Sequence, residues 1–271
     1  MKSILLHVQD DESLDNRLQT ALALARASGG HLSCLHVTPI EAYVAFDTFG
    51  GVFVMQDIIE SLCQHEADLR TRVEDQLQKE DVSWDYQQMT GSMLSTIVSH
   101  AALADVIITS REPHKQTHAV RSLGLFGDLL HRSRTPLVIP ASSGVICDPL
   151  GPVLIGWNGS YEAANAVRSA IGLLSLSSKV EILVVEEEDE KLFPATRVLE
   201  YLSRHEIHAD LHVERAEKYM IPDVLVARAE QIKASYLVIG GYGRSRVGEY
   251  LFGGVTRRLL QDTPVTLFIS R

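Results

Sequence analysis

The glycines near the C-terminal end of the chain are the residues whose spacing most clearly could do chemistry. Residues 240–256 read GGYGRSRVGEYLFGGVT and follow an apolar run, 235–239, that predicts a buried strand. Because glycine has no Cβ, its backbone can approach a phosphate closely and turn N–H groups toward it. The pair Gly253-Gly254 stands where a helix is predicted to start, and a helix start offers further free amides. The segment is typical of a cradle for nucleotide phosphates; a tight turn with glycines kept for packing alone is the alternative.

Composition restricts the class of protein. The 271 residues carry a net charge of −10, which argues against binding to nucleic acid or to an anionic membrane. The apolar stretches are shorter than the ~18–20 residues that span a bilayer, and residues 1–6 predict a first strand rather than a signal peptide. Three scattered cysteines, Cys34, Cys63 and Cys147, favour free thiols in a reducing compartment. We expect a cytoplasmic protein that acts on a small molecule or a protein partner.

The chain repeats itself. An apolar strand at 4–8 leads into an Ala/Leu-rich helix at 14–27, and the same order recurs with a strand at 153–156 and a helix at 163–174. Each half reads as five strands alternating with helices, which predicts two α/β domains, each with a mainly parallel sheet covered on both faces. The turn-forming stretch 141–152 separates them. We place the first domain at 1–146 and the second at 147–271.

Open α/β sheets bind ligands at the carboxyl ends of their strands, where the strand order reverses. In the second half these ends carry Gly156-Trp157-Asn158, Val184-Val185 and the glycines at 240–243. In the first half they carry residues 8–10, Val37-Thr38 and Ser110-Arg111-Glu112-Pro113. The glycine cradle is therefore predicted in the second half.

At these residues the chain resembles the tandem, two-domain members of the universal stress protein family. The family's nucleotide motif, G-x2-G-x9-G-(S/T) after the fourth strand, is matched by Gly240, Gly243 and Gly253 with the full spacing. The resemblance covers nearly the whole chain. It implies two Rossmann-like domains that pair within one chain as single-domain relatives pair in a dimer, with the fifth strands as the meeting edge. It also implies ATP, or another adenine nucleotide, held in a regulatory stress-response module.

The resemblance also implies roles for individual residues. Val185 would present backbone groups to adenine, Gly240 would neighbour the ribose, and the amides of Gly243, Gly253, Gly254 and Val255 would face the phosphates. Gly254 stands where the family usually has Ser or Thr, a hydroxyl that Thr256 could replace, and Asn158 stands where it usually has an acidic ribose contact. The predicted site residues are Gly156, Trp157, Asn158, Val185, Gly240, Gly243, Gly253, Gly254, Val255 and Thr256.

The first half lacks the motif, and we expect it not to bind ATP. The sequence after Ile108 contains Ser110-Arg111-Glu112-Pro113 in place of G-x2-G, which removes flexibility and one N–H donor. The segment Phe126-Gly127-Asp128 is interpreted as a remnant of the motif that places a carboxylate where a phosphate would sit.

Other chemistry is less favoured. The pair His114 and His118, the group His205, His208 and His212, and the acidic run 186–190 are interpreted as solvated residues, so neither a metal site nor a Mg²⁺ site is predicted. The apolar segment 38–55 is expected to cover the first domain's core or a dimer face. We predict no catalytic residues. A nucleotide-free stress scaffold acting through dimerisation and protein partners is the main alternative, and a slow ATPase or phosphotransfer enzyme ranks third.

Overall fold

A computed structural model describes residues 1–39, 45–46, 52–53, 56–110, 119–186, 193–241 and 254–271. In the first half these ranges contain β1 (Ser3–Val8), α1 (Leu14–Ser28), β2 (His31–Pro39), β3 (Ala45–Phe46), β4 (Val52–Phe53), α2 (Gln56–Leu77), β5 (Ser83–Gly91), α3 (Met93–His100), β6 (Val106–Ile108), α4 (Ala119–Arg132) and β7 (Leu137–Ile139). In the second half they contain β8 (Pro152–Gly156), α5 (Tyr161–Leu174), β9 (Lys179–Glu186), α6 (Ala195–Arg204), β10 (Ala209–Arg215), α7 (Ile221–Gln231), β11 (Tyr236–Gly240), α8 (Gly254–Gln261) and β12 (Thr266–Ser270).

Local sequence explains where the repeated elements begin and end. Helix α5 starts at Ser160, whose Oγ accepts a hydrogen bond from the Ala163 amide at 3.1 Å, and α1 stops at Gly29, whose φ of +57° suits a residue without Cβ. Strands β1 and β12 are buried along almost their whole length. Such continuous apolar runs are typical of strands covered on both faces.

Ten of the strands form one sheet in the order β10-β9-β8-β11-β12-β7-β6-β1-β2-β5. Each half contributes five strands in the same internal order, and all pairings are parallel except β12 with β7. The predicted fold class, two tandem Rossmann-like α/β units, is confirmed. The predicted meeting of the two fifth strands is also present, with Leu267 opposite Ile139.

The antiparallel β7–β12 pair determines where the two ligand crevices can lie. Because every other pairing in this ten-stranded sheet is parallel, its strands from one half run opposite to those from the other. The carboxyl ends of the two sets of strands therefore lie at opposite edges of the sheet.

The core is two layers, one on each face of the sheet. Helices α1, α2, α5 and α6 pack on one face through buried side chains that include Leu18, Leu69, Val167 and Val198. Helices α3, α4, α7 and α8 pack on the other through Ile97, Leu129, Leu225 and Leu259. Within the described ranges, the helices include none that is both long and apolar enough to cross a membrane.

Helix α4 and the apolar segment 38–55 contain residues that the sequence singled out. Phe126-Gly127-Asp128 lies well inside α4, so the Asp128 carboxylate is not at a helix start and its interpretation as a phosphate-site remnant is wrong. Gly127 has eight helical residues before it and five after it, so it lies in the interior of α4. In the apolar segment 38–55, Ala45–Phe46 pairs antiparallel with Val52–Phe53; its remaining residues beyond Pro39 lie outside the described ranges.

Candidate functional site

The three strand ends predicted to form the second-half crevice lie side by side. Strand β8 runs between β9 and β11, with Gly156 opposite Leu183 and Ile155 opposite Val238. This arrangement brings Gly156, Val185 and Gly240 to one edge of the sheet. Gly243 and Gly253 lie outside the described residues, and their contact with a phosphate stays a prediction.

Packing explains two of the predicted site glycines. A Cβ on Gly240 would lie 2.5 Å from the Ala163 amide nitrogen in the first turn of α5, so β11 and α5 can approach only without it. A Cβ on Gly156 would lie 3.1 Å from both Leu225 Cδ2 and Ile239 Cγ2. Close packing alone is therefore enough to explain why Gly156 and Gly240 are glycines.

The start of α8 is different. Gly254 is exposed, and a Cβ there would meet nothing within 4 Å among the described atoms. Val255 packs its side chain against the core, and Thr256 is buried, so its hydroxyl is not presented at the surface. The group that all three residues can offer to an anion is the backbone N–H, because the first turn of a helix leaves these donors without intrahelical partners.

The remaining predicted residues divide between backbone and side-chain roles. Trp157 is 5% exposed, and its indole N–H donates to the Phe193 carbonyl at 3.3 Å, so its side chain is committed to the core. Val185 is buried as well. Asn158 is exposed; its Oδ1 accepts from the Ser160 amide at 3.2 Å, which leaves the side-chain NH₂ to donate to a ligand hydroxyl.

The corresponding crevice of the first half is crossed by a side chain that the sequence analysis missed. Arg17 of α1 is 1% exposed, and its Nη1 lies 2.9 Å from both carboxylate oxygens of Asp11. Its Nη2 donates to the Gln9 carbonyl at 2.7 Å, just after β1, and Nη1 also donates to Ser110 Oγ, just after β6. The guanidinium therefore bridges the carboxyl ends of the two strands. Burial lowers the Arg17 pKa, and Asp11 opposes that effect.

Equivalent positions in the two halves can be read from the strand registers. Ile4 pairs with Val106 in the first half, and Val153 pairs with Tyr236 in the second. First-half residues from β1 through α1 therefore match second-half residues 149 positions later. Residues around β6 match residues 130 positions later. Arg17 then corresponds to Ala166, and Ser110 corresponds to Gly240. The first half fills its crevice with a charged side chain where the second half has small residues.

His7 distinguishes the first half in the same way, because its counterpart is Gly156. It is 3% exposed, and its Nδ1 lies 3.4 Å from Thr109 Oγ1. Burial lowers the pKa of His7 to about 3, with further contributions from Arg17 and His36. The ring is neutral at physiological pH. A sequence signal for Arg17 did exist: it interrupts the apolar spacing of Leu14, Leu18 and Ala21 on α1.

The other candidates weighed from sequence remain apart from these crevices. His212 Nε2 lies 3.1 Å from Glu214 Oε1 on β10, and the His205 ring packs against Tyr201 at 4.7 Å. Over the part of the chain that the structure describes, no group of three or more His, Cys, Asp or Glu residues is arranged to hold a metal ion. His114, His118 and residues 187–190 lie outside it.

Comparison with solved structures places this fold. A universal stress protein from Archaeoglobus fulgidus DSM 4304 matches 99% of this chain over 96% of its own, with a TM-score of 0.75 and 16% identity. A functionally unknown protein from Pseudomonas aeruginosa PAO1 matches the full chain over 92% of its own, with a TM-score of 0.64 and 16% identity. A third protein, from Pseudomonas aeruginosa UCBPP-PA14 and provisionally named a universal stress protein, gives a TM-score of 0.64, 17% identity, and coverage of 100% and 93%.

These likenesses show that the chain has the fold of a tandem universal stress protein. Scans against protein-family models and against curated protein sequences give no match. At 16–17% identity the shared property is the fold, and the site must be argued from its own residues.

Proposed function

We propose that the chain is a tandem universal stress protein whose second half, residues 147–271, binds ATP or another adenine nucleotide as a regulatory module in the stress response. The observation that carries this proposal is the contrast between equivalent positions. The strand switch point holds Arg17 and Ser110 in the first half, but Ala166 and Gly240 in the second. Ligands of open α/β sheets bind at that point, and the second half also carries the G-x2-G-x9-G spacing.

In this proposal the backbone does most of the binding. Val185 presents backbone groups to adenine, and the exposed amide of Asn158 donates to a ribose hydroxyl beside Gly240. The amides of Gly254, Val255 and Thr256 in the first turn of α8 face the phosphates, together with those of Gly243 and Gly253. Gly156 and Trp157 contribute backbone to the wall, because the Trp157 indole belongs to the core.

The contrast between the equivalent positions of the two halves also supports our proposal that the first half, residues 1–146, does not bind a nucleotide. A bound nucleotide would have to displace a guanidinium that already makes hydrogen bonds to Asp11, Gln9 and Ser110. We propose binding and not turnover, with no Mg²⁺ requirement, because the sequence carries no recognisable catalytic motif. Free thiols at all three cysteines agree with a cytosolic location.

The β7–β12 pair supports an intramolecular equivalent of a dimer, since it already joins the two halves. Further association into a homodimer, or with a protein partner, belongs to the scaffold alternative. The scaffold alternative would be favoured if the chain bound no nucleotide.

The test uses the purified full chain. We expect mass spectrometry to detect a co-purified adenine nucleotide, or calorimetry to give one ATP per chain. Gly254→Asp should weaken binding by at least ~100-fold, because a carboxylate would face the phosphates at close range. It should not unfold the chain, since a side chain there meets no described atom within 4 Å of its Cβ and an acidic residue suits a helix start.

Ser169→Asp is the matched control, because it adds the same charge at an exposed position two turns along α5. Gly243→Val should also abolish binding. The proposal would be overturned if no nucleotide co-purified and calorimetry detected no ATP binding. It would also be overturned if the Gly254→Asp and Ser169→Asp variants bound ATP with equal affinity.

A further inference from the structure

A second concave site lies between α5 and α6, on the face of the sheet opposite to α8. Its volume is about 300 Å³, at the lower end of the range for small-molecule sites. Four aromatic rings and two guanidinium groups line it: Trp157, Tyr161, Phe193, Tyr201, Arg168 and Arg197. None of the functions considered above uses this pocket.

Three of the aromatic residues contact one another. The rings of Tyr161 and Phe193 meet edge to face, with centroids 5.0 Å apart and planes at 84°. The Trp157 indole is tied to the Phe193 carbonyl by a hydrogen bond of 3.3 Å. The Tyr161 and Phe193 rings form an aromatic surface at the pocket that suits a flat aromatic group, because stacking and edge contacts are available to it.

The rim is positively charged. Arg168 Nη2 donates to Asn165 Oδ1 at 2.5 Å, and the Asn165 amide donates to the Arg271 carbonyl at 3.1 Å, so a chain of hydrogen bonds holds the Arg168 side chain beside the pocket. Arg197 is exposed on the facing helix. The described residues that line the pocket include no carboxylate. Two guanidiniums gathered at one opening, on a chain of net charge −10, indicate an anionic group on the ligand.

We propose that this pocket binds a small aromatic carboxylate of one ring or two fused rings. The ring packs against the Tyr161–Phe193 pair, with the buried Trp157 also in the lining, and the carboxylate meets Arg168 and Arg197. The site is separate from the strand-end crevice, since its lining comes from the α5–α6 layer whereas α8 belongs to the other layer. The proposal does not depend on nucleotide binding.

The experiment uses Trp157 as the reporter. The chain has two tryptophans, and Trp84→Phe leaves Trp157 alone. Phenylacetate is titrated to 10 mM against the full-length variant, with phenylacetamide as the neutral probe of the same shape. We expect a saturable change in Trp157 fluorescence with phenylacetate, matched by calorimetry on the unsubstituted chain, and at least ~10-fold weaker binding of phenylacetamide.

Variants at the rim test the charge. Arg197→Gln and Arg168→Gln should each weaken phenylacetate binding by ~10-fold, since each removes a charged partner of the carboxylate. Arg204→Gln, which removes an exposed arginine of the same helix outside the pocket lining, should leave the affinity unchanged. Circular dichroism checks that each variant is folded.

Four results would overturn the proposal. They are no saturable signal up to 10 mM, equal affinities for phenylacetate and phenylacetamide, equal effects of Arg204→Gln and Arg197→Gln, and displacement of phenylacetate by stoichiometric ATP. The last result would assign the pocket to the nucleotide site.

Discussion

The two halves have the same strand order and the same helix layers, but their strand-end crevices are built from different residues. In the first half Arg17 reaches from α1 to the ends of β1 and β6, where Asp11, Gln9 and Ser110 accept its hydrogen bonds. In the second half α5 carries Ala166 at the equivalent position. The same fold therefore has one crevice that is occupied by an arginine side chain and one in which the equivalent residue is an alanine.

The difference teaches how a Rossmann-like domain can lose a ligand site without losing its fold. Parallel strands end with backbone groups that need partners, and a bound ligand, water or a side chain can provide them. Arg17 provides them internally, at the cost of burying a charge that needs Asp11 beside it. Asn158 is the counterpart of Gln9, whose carbonyl accepts a hydrogen bond from Arg17. The counterpart of Arg17 is Ala166, which has no guanidinium to donate to the Asn158 carbonyl.

Removing the Arg17 guanidinium is expected to have the largest effect on the stability of the chain. Arg17→Met should lower the free energy of unfolding by about 3–5 kcal/mol, because Asp11 would keep a nearly buried carboxylate without its partner. Urea denaturation of the full chain measures this loss.

Arg26→Met is the matched control on the same helix. Arg26 is about half exposed and pairs with Glu80, so its removal should cost less than ~1 kcal/mol. Equal losses for the two variants would mean that Arg17 is not the residue that closes the first crevice.

Much of the fold could be predicted from the sequence, because its signals are local and repeated. The apolar runs that became β1, β8 and β11, the serine before α5 and the glycine after α1 mark elements in the order found. The β7–β12 edge followed from the two halves being alike. Helix α4 shows the limit, since Gly127 lies within a helix instead of before one.

The direction in which individual side chains point could not be predicted in the same way. Strands buried on both faces have no polar–apolar alternation, so nothing in the sequence shows that Trp157 and Gly156 face opposite layers. Arg17 is the exception, because a charged residue within the apolar stripe of α1 was visible and its partners were not. Partners such as Gln9 and Ser110 become neighbours only through the sheet topology.

Substitutions at two second-half glycines separate packing from ligand contact. Gly240→Ala should destabilise the chain by about 3 kcal/mol, since the new Cβ would lie 2.5 Å from a backbone nitrogen of α5 that cannot move freely. Gly254→Ala should be neutral or stabilising by about 0.5 kcal/mol, because its Cβ would meet nothing within 4 Å among the described atoms at a helix start. Thermal and urea unfolding of both variants measure the difference.

A large loss of stability in Gly254→Ala would show that this glycine has a packing role as well. Equal, small effects of both substitutions would remove the close approach of α5 to β11 as the reason for glycine at position 240.

A smaller effect than those of Arg17→Met and Gly240→Ala is expected from a dependence of stability on pH that arises in the first half. Folding lowers the pKa of His7 from its ordinary 6.5 to about 3, so between these values the unfolded chain binds a proton that the folded chain does not. Stability is therefore complete above pH ~6.5 and falls as the pH falls toward 3; between pH 7 and pH 5 the loss from His7 should be roughly 2 kcal/mol. Unfolding free energies at the two pH values measure it.

His7→Leu should remove most of that loss while keeping the layer apolar, and a smaller part should remain because burial lowers the pKa of His36 too. His205→Leu, at an exposed position of the second half, should leave the loss as it is in the unsubstituted chain. The counterpart of His7 is Gly156, which cannot titrate, so the second half should lack this source of acid sensitivity. An unchanged loss in His7→Leu would place the acid-sensitive group elsewhere and would end the use of His7 as a distinguishing feature of the first half.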